Sequence, residues 1–209
     1  MIMSRRASFA LLAVLVTDAA SQAIFRSADA QTPGPTRIRG DIEAVDAHEI
    51  RIISRRGEKF TLQTADDLKI QAIVPITIDA IKPGSFIGSA AVLQPDGTLH
   101  AQEVHVFPEA MRGTGEGHRP FDLGPGSTMT NGTVGEVIGS EGRTLKVNYK
   151  GGEKTIFVSP ETPIVAYEPG GRELLVPSAH VIVFATEGPS KILTATRIAV
   201  GKDHLVPPM

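Results

Sequence analysis

The side chains best suited to binding a ligand are concentrated in one Gly- and Pro-rich segment in the middle of the chain, residues 108–130. Arginine side chains and the amides of closely spaced glycines can together surround an anionic group, with acidic and histidine side chains beside them. This pattern predicts a ligand-binding loop made of Arg112, Gly113, Gly115, Glu116, Gly117, His118, Arg119 and Asp122.

The same composition is typical of an ordered structural linker, because Gly and Pro interrupt strands and helices while the charges keep the segment solvated. The glycine spacing is not the G-x-G-x-x-G of dinucleotide-binding loops, and the Lys-Ser/Thr pair of a phosphate-binding P-loop is absent. Met111, Phe121 and Leu123 are apolar residues that a free linker does not need. We expect them to dock the segment onto neighbouring structure, and the linker interpretation is favoured over the ligand loop.

A second group of polar residues suggests metal binding as an alternative. Glu103 and His105 alternate with valines, so on a strand their side chains share one face. With Glu116 and His118 from the following segment they would supply oxygen and nitrogen ligands of the kind that divalent metals bind. No two histidines have the i, i+2 or i, i+4 spacing of a local metal motif. A polar strand face turned to water is therefore the favoured interpretation of Glu103 and His105.

Composition excludes several functional classes. The 209 residues include no Cys, which excludes a thiolate nucleophile and a thiolate metal site. The chain carries 21 Lys+Arg against 23 Asp+Glu with 5% aromatic residues, which argues against nucleic acid as a partner. The G-x-S-x-G nucleophile motif is missing. We predict neither enzymatic activity nor a cofactor, and an enzyme of unrecognised type is the alternative.

Residues 1–30 have the parts of a secretory signal peptide. Arg5 and Arg6 precede an uncharged apolar run over residues 7–16, and Ala28-Asp29-Ala30 supplies the small residues that signal peptidase requires, with Ser21-Gln22-Ala23 as a rival cleavage site. The run is shorter than the roughly 20 residues of a membrane-spanning helix. We expect cleavage, a periplasmic or secreted location, and no membrane span in the rest of the chain.

The two halves of the remaining chain resemble each other, which predicts an internal duplication. Matching residues lie at nearly equal offsets: Gly40 and Gly132 (132 − 40 = 92), Gly57 and Gly152 (152 − 57 = 95), and Pro83 and Pro177 (177 − 83 = 94). The same comparison matches residues 103–106 with residues 197–200. We therefore predict one domain over residues 31–107, a connecting loop over 108–130, and a second domain over 131–209.

Apolar residues alternate with others at period two in several short runs, which is typical of half-buried β-strands. The runs are separated by Gly and Pro turns such as Pro95-Asp96-Gly97. We expect an all-β protein with two tandem small β-barrels of OB-like type, because closure removes exposed sheet edges. A small sandwich is the alternative.

Two local features are also expected. One short helical turn is expected over Thr77–Lys82, and Asp66-Asp67 is expected to end a strand.

The stretch from Val104 to Asp122, followed by Ser127-Thr128-Met129-Thr130-Asn131, resembles a hallmark of a family of small exported bacterial proteins. Ile81–Gly88 and the final Pro207-Pro208-Met209 add to the resemblance. The family is known as a domain of unknown function, of tandem small β-barrel type, and carries the automatic label "metal ABC transporter permease". The resemblance implies no known active site. The permease label conflicts with the sequence, since no apolar run after residue 30 has the length of a spanning helix.

These observations predict a non-enzymatic binding or interaction module of the cell envelope. Its expected partner is either another protein or a small anionic ligand, bound at the junction between the two domains, where pockets tend to form.

Overall fold

Twelve β-strands build the fold of the computed structural model, which describes residues 36–139, 143–188 and 190–209. The strands are β1 (Thr36–Val45), β2 (Glu49–Ser54), β3 (Lys59–Pro75), β4 (Phe86–Leu93), β5 (Leu99–Val106), β6 (Gly117–Pro120), β7 (Ser127–Ile138), β8 (Thr144–Tyr149), β9 (Gly152–Phe157), β10 (Ile164–Pro169), β11 (His180–Glu187) and β12 (Leu193–Gly201). Short 3-10 turns lie at Ile78–Ala80, Glu109–Met111, Arg172–Leu174 and Lys202–His204. The predicted all-β class is confirmed. The predicted signal peptide lies outside the described residues.

Five strands close into a barrel, which we call the first ring: β1, β2, β3, β12 and β11, in that order around the barrel. Neighbouring strands of this ring pair antiparallel, except β12 and β3, whose parallel pairing closes the barrel. The interior is filled by β-branched and other aliphatic side chains, among them Ile42, Ile52, Leu62 and Ile198. Closure leaves no free edge in this ring.

A second set of five strands, the second ring, repeats the order as β7, β8, β9, β5 and β4. Here the return from β9 to β5 is a short parallel pairing of Leu99 with Ile156 and of His100 with Phe157. Its interior has a separate core that includes Ile87, Val104 and Leu145.

Each ring takes strands from both halves of the chain. The first ring combines β1–β3 from the beginning of the chain with β11 and β12 from its end, and the second ring combines β4 and β5 with β7–β9. Two barrels in tandem, each made from one half, are therefore not confirmed. The reason is geometric: after β3 the chain passes through a 3-10 turn and enters β4, which pairs with β7 rather than with β1.

The strand pairings of the two halves nevertheless recur at the offset found in the sequence. The β1–β2 pair has a bulge between Ile42 and Ala44, and the β7–β8 pair has one between Val134 and Glu136 (134 − 42 = 92). A β-bulge inserts an extra residue at one defined place, so matching bulges indicate matching backbone paths.

The two rings are joined where β3 pairs with β10 along the chain from Gln71 to Pro75. At the centre of this pairing Ile73 lies opposite Tyr167, and these two residues are themselves separated by the repeat offset (167 − 73 = 94). Around this pair a third apolar cluster fills the space between the rings, with Phe86, Phe107 and Phe184 among its members.

Asp66 and Asp67 do not end a strand as expected, because β3 continues through them to reach β10.

We expect fragments covering residues 31–107 and 108–209 not to fold cooperatively when each is expressed alone. The first fragment lacks β11 and β12, which close its barrel, and the second lacks β4 and β5. Mixing the fragments should restore the native circular dichroism and a single thermal transition. A sharp unfolding transition in either isolated fragment would contradict the arrangement in which each ring takes strands from both halves of the chain.

Gly40 and Gly132 occupy matching positions where two strand backbones approach closely. A Cβ at Gly40 would lie 2.1 Å from the carbonyl oxygen of Ile53, and one at Gly132 would lie 2.3 Å from that of Asn148. We expect Gly40→Ala and Gly132→Ala each to lower the free energy of unfolding by about 1–3 kcal/mol, as overpacking does. Denaturant titration measures this. Gly124→Ala is the control, since nothing lies within 4 Å of its added Cβ.

Candidate functional site

The predicted connecting loop is folded against both rings. Within it, Gly117–Pro120 forms β6, which pairs antiparallel with β7. Met111, Phe121 and Leu123 pack against the apolar cluster between the rings, where we expected them to dock. The segment therefore forms one wall of the junction.

Asp122 fastens this segment to the first ring. Its carboxylate accepts hydrogen bonds from Arg37 at 2.9 Å and from Arg39 at 2.8 and 3.0 Å. The guanidinium of Arg37 also lies over the Phe121 ring, 4.8 Å from its centre. The hydrogen bond from Arg39 and the charges of both arginines hold the pKa of Asp122 below its ordinary value.

The other candidates of the predicted ligand loop point in several directions. Arg112 bonds to Glu109 at 2.6 Å and to the carbonyl oxygen of Gly84 at 2.9 Å. Glu116 accepts a hydrogen bond from the Lys150 amide at 2.9 Å. Gly113, Gly115 and Gly117 have positive φ angles of 84°, 55° and 132°, which shape the turns before β6. Of the loop candidates, Gly115 and Arg119 line the cavity described below.

His118 faces a different surface. Its Nδ1 lies 2.8 Å from the Thr130 hydroxyl, and its ring stacks on Tyr149 with the ring centres 6.3 Å apart. Burial, together with the positive charges of Lys154 and Arg119, lowers its pKa. The four residues of the metal alternative, Glu103, His105, Glu116 and His118, are thus not brought together as one set. Within the described ranges, no group of three or more His, Asp or Glu side chains is placed to hold a metal ion.

Glu103 and His105 do not face water, contrary to the interpretation that the sequence favoured. Glu103 has no exposed surface and His105 is 2% exposed. On this face the His105 ring contacts Phe107 and Tyr167, and the local pattern of β5 does not reveal the contact with Tyr167. Glu103 Oε1 lies 3.0 Å from His105 Nδ1, so the carboxylate and the imidazole form a buried hydrogen-bonded pair.

Beside this pair lies a cavity of about 390 Å³ between the two rings. Its apolar wall is formed by large side chains from both rings and from the connecting segment: Phe107, Phe121, Met129, Ile182, Phe184 and Met209. A cavity of this size and lining is typical of small-molecule binding sites.

Three arginines provide the charged groups of the cavity: Arg37, Arg119 and Arg197. Partial desolvation of the guanidinium lowers the pKa of each, because it disfavours the charged form, although Arg119 as a whole is an exposed residue. Arg37 has Asp122 as its acidic partner. Arg119 donates to the carbonyl oxygen of Gly115 at 2.7 Å, and Arg197 lies over the Phe184 ring at 3.8 Å. Neither forms a salt bridge with an acidic side chain in the part of the chain that the structure describes.

The cavity also has a polar lining besides the arginines. His105, Asn131 and Tyr167 lie there, and the imidazole contacts Phe107 and Tyr167 edge-on. Gly88 separates His105 from Asn131 in the sheet, since it pairs with both across β5 and β7. A Cβ on Gly88 would lie 2.2 Å from His105 Nε2, so only glycine leaves room for the ring.

Sequence reasoning did not identify Arg37, Tyr167 or Arg197 as site residues. For Arg197 a signal existed, because the comparison of the two halves already matched it with Glu103. Tyr167 lies on β10, whose short sequence lacks a clear alternation.

Comparisons with family models, with curated proteins and with solved structures find no match to this chain. The resemblance to a family of exported proteins therefore stays a prediction. No helix among the described residues is long and apolar enough to cross a membrane.

We expect Asp122→Asn to destabilise the protein by at most about 1 kcal/mol at pH 7, since half-exposed ion pairs are screened by solvent. The folded-state pKa of Asp122 is depressed, so its contribution is complete above the unfolded value of about 3.9 and is lost as the pH falls through the folded value. Denaturant titrations of both proteins at pH 7 and in strong acid measure the difference. A difference that is unchanged by pH, or by a background Arg39→Gln substitution, would contradict this assignment.

Proposed function

We propose that the protein is a non-enzymatic binding module that holds a small organic anion with an apolar body in the cavity between the two rings. The observation that carries this proposal is the pair Arg119 and Arg197, two guanidinium groups without acidic partners beside an aromatic-rich wall. A carboxylate, phosphate or sulfate group would supply the missing negative charge.

The electrostatics of the cavity favour an anion over a cation. Arg197 is partly buried without an acidic side-chain partner among the described residues, and an anionic ligand would recover part of the desolvation cost of its guanidinium. The apolar wall then requires that the rest of the ligand be apolar, because a fully hydrated anion such as inorganic phosphate gains nothing from Phe107, Phe184 and Ile182.

We also propose that the two rings are OB-like units that arose by duplication and exchanged their last two strands. Matching bulges, matching close-approach glycines and the self-matched Ile73–Tyr167 pair support this origin. Under this proposal the cavity lies on the approximate twofold axis between the copies. A location in the cell envelope remains a prediction from residues 1–30.

We expect the purified protein to bind small aromatic carboxylates, and Arg119→Gln and Arg197→Gln each to weaken that binding about 10- to 100-fold. Charge-assisted hydrogen bonds have this magnitude. Isothermal titration calorimetry with phenylacetate and benzoate gives the dissociation constants.

Arg51→Gln is the matched control, because Arg51 is an exposed arginine on β2 that pairs with Glu43 and Glu49 and is not a cavity residue. It should bind as the wild type does. Equal affinity in the wild type and in both cavity variants would overturn the proposed anion site.

A further inference from the structure

Two polar atoms of buried residues, Asn131 Oδ1 and His105 Nε2, lie close to Gly88. The side-chain oxygen of Asn131 is buried and accepts no hydrogen bond from any described residue. His105 uses Nδ1 for its bond to Glu103, which leaves Nε2 as the nitrogen on the side of Gly88.

The positions of these atoms are fixed by the sheet. The point where a Cβ of Gly88 would stand lies 2.2 Å from His105 Nε2 and 2.7 Å from Asn131 Oδ1, so the two atoms are less than about 5 Å apart. The amide of Asn131 is held in one orientation, because its nitrogen donates to the carbonyl oxygen of Thr114 at 2.9 Å. Both residues line the cavity, and Asn131 is 4% exposed.

A buried acceptor of this kind calls for a donor. Leaving it unsatisfied costs more than a typical hydrogen bond contributes. We infer that the ligand of the proposed anion site carries a hydroxyl group, which is held between Asn131 Oδ1 and His105 Nε2. This inference rests on the proposed function and specifies the class of ligand: a hydroxy-substituted aromatic or similarly apolar carboxylate.

A hydroxyl can pair with both atoms when Nε2 carries a proton. With Nδ1 donating to Glu103, Nε2 is an acceptor in the neutral ring and a donor in the protonated ring. A hydroxyl has one proton, which it donates to Asn131 Oδ1, and its lone pairs accept from Nε2 when the imidazole is protonated. A methyl group or a ring hydrogen in the same place would leave Asn131 Oδ1 unsatisfied.

A cationic group that can bind the anionic end of the ligand lies near Asn131. A Cβ on Gly115 would lie 3.2 Å from Arg119 Nη2 and 3.3 Å from Asn131 Nδ2, so the guanidinium and the amide are less than about 7 Å apart. With its hydroxyl at Asn131, an aromatic ring can point a carboxylate arm toward the arginines that line the same cavity, Arg37, Arg119 and Arg197. Phe107 and Phe184 supply the apolar wall for that ring.

The test compares matched ligands on the wild-type protein by isothermal titration calorimetry. The pairs are 4-hydroxybenzoate with benzoate, 4-hydroxyphenylacetate with phenylacetate, and 3-(4-hydroxyphenyl)propionate with 3-phenylpropionate. We expect at least a tenfold tighter dissociation constant for the hydroxylated member of one or more pairs. If the acids bind but no pair differs, the hydroxyl inference is overturned while the anion site stands. If none of the six acids binds, the proposed function itself fails.

A double variant, Glu103→Gln with His105→Phe, then locates the effect. It removes Nε2 without leaving a buried carboxylate unpaired, and the phenyl ring retains the edge contacts with Phe107 and Tyr167. The dissociation constants of the hydroxylated and the unsubstituted acid should then become more nearly equal. An undiminished preference in a variant with native circular dichroism would place the hydroxyl elsewhere and overturn the assignment to His105. The ligand-pair comparison on the wild type holds as a test even if the variant does not fold.

Discussion

The antiparallel pairing of β3 with β10 is the contact on which the positions of both rings depend. β3 belongs to the first ring and extends beyond it. β10 comes directly after β9, the last strand of the second ring in the chain. The five residue pairs between β3 and β10, from Gln71–Pro169 to Pro75–Val165, therefore hold the two barrels together. Each of these strands also has a parallel partner: β3 pairs with β12, and β10 pairs with β5. β12 and β5 are the second strands of the hairpins β11–β12 and β4–β5. These pairings leave no freedom for the rings to slide. Side chains that face the junction from either ring are therefore held in one geometry, as a binding cavity requires.

A buried carboxylate is the costly part of this junction. Glu103 has no solvent contact, and one of its oxygens, Oε2, has no hydrogen-bond partner among the described residues. The hydrogen bond with His105 offsets part of the desolvation cost, and Gly88 makes the space for that imidazole. At the matching positions of the second half, Ile182 stands for Gly88 and Ala199 for His105 and they face each other in the same way. In the first half the small residue is on β4 and the large one on β5, whereas in the second half the large residue is on β11 and the small one on β12. The backbone therefore repeats, while only the first half carries the imidazole.

Much of the local structure was predictable, because period-two alternation and Gly–Pro turns specify strands directly. The choice of partner strands was not, since both halves present similar apolar faces and a hairpin such as β4–β5 fits either ring by local pattern alone. The same limit applies to the site. Alternation showed that Glu103 and His105 share a face, but whether that face is covered depends on residues such as Tyr167 and Ile182, which lie far away in the chain. Arg119 was found because it belongs to the Gly-rich segment, whereas Arg37 and Arg197 lie in ordinary strands.

Because each ring takes strands from distant parts of the chain, the two rings complete their folds at different points of synthesis. The second ring has all its strands once residue 157 has been made, whereas the first ring waits for β12, which ends at Gly201. Until then β1, β2 and β3 form at most an open three-stranded sheet whose two edges are unpaired. The N-terminal strands are thus the first to leave the ribosome and the last to be enclosed, and they are the part of the nascent chain that most needs protection from aggregation.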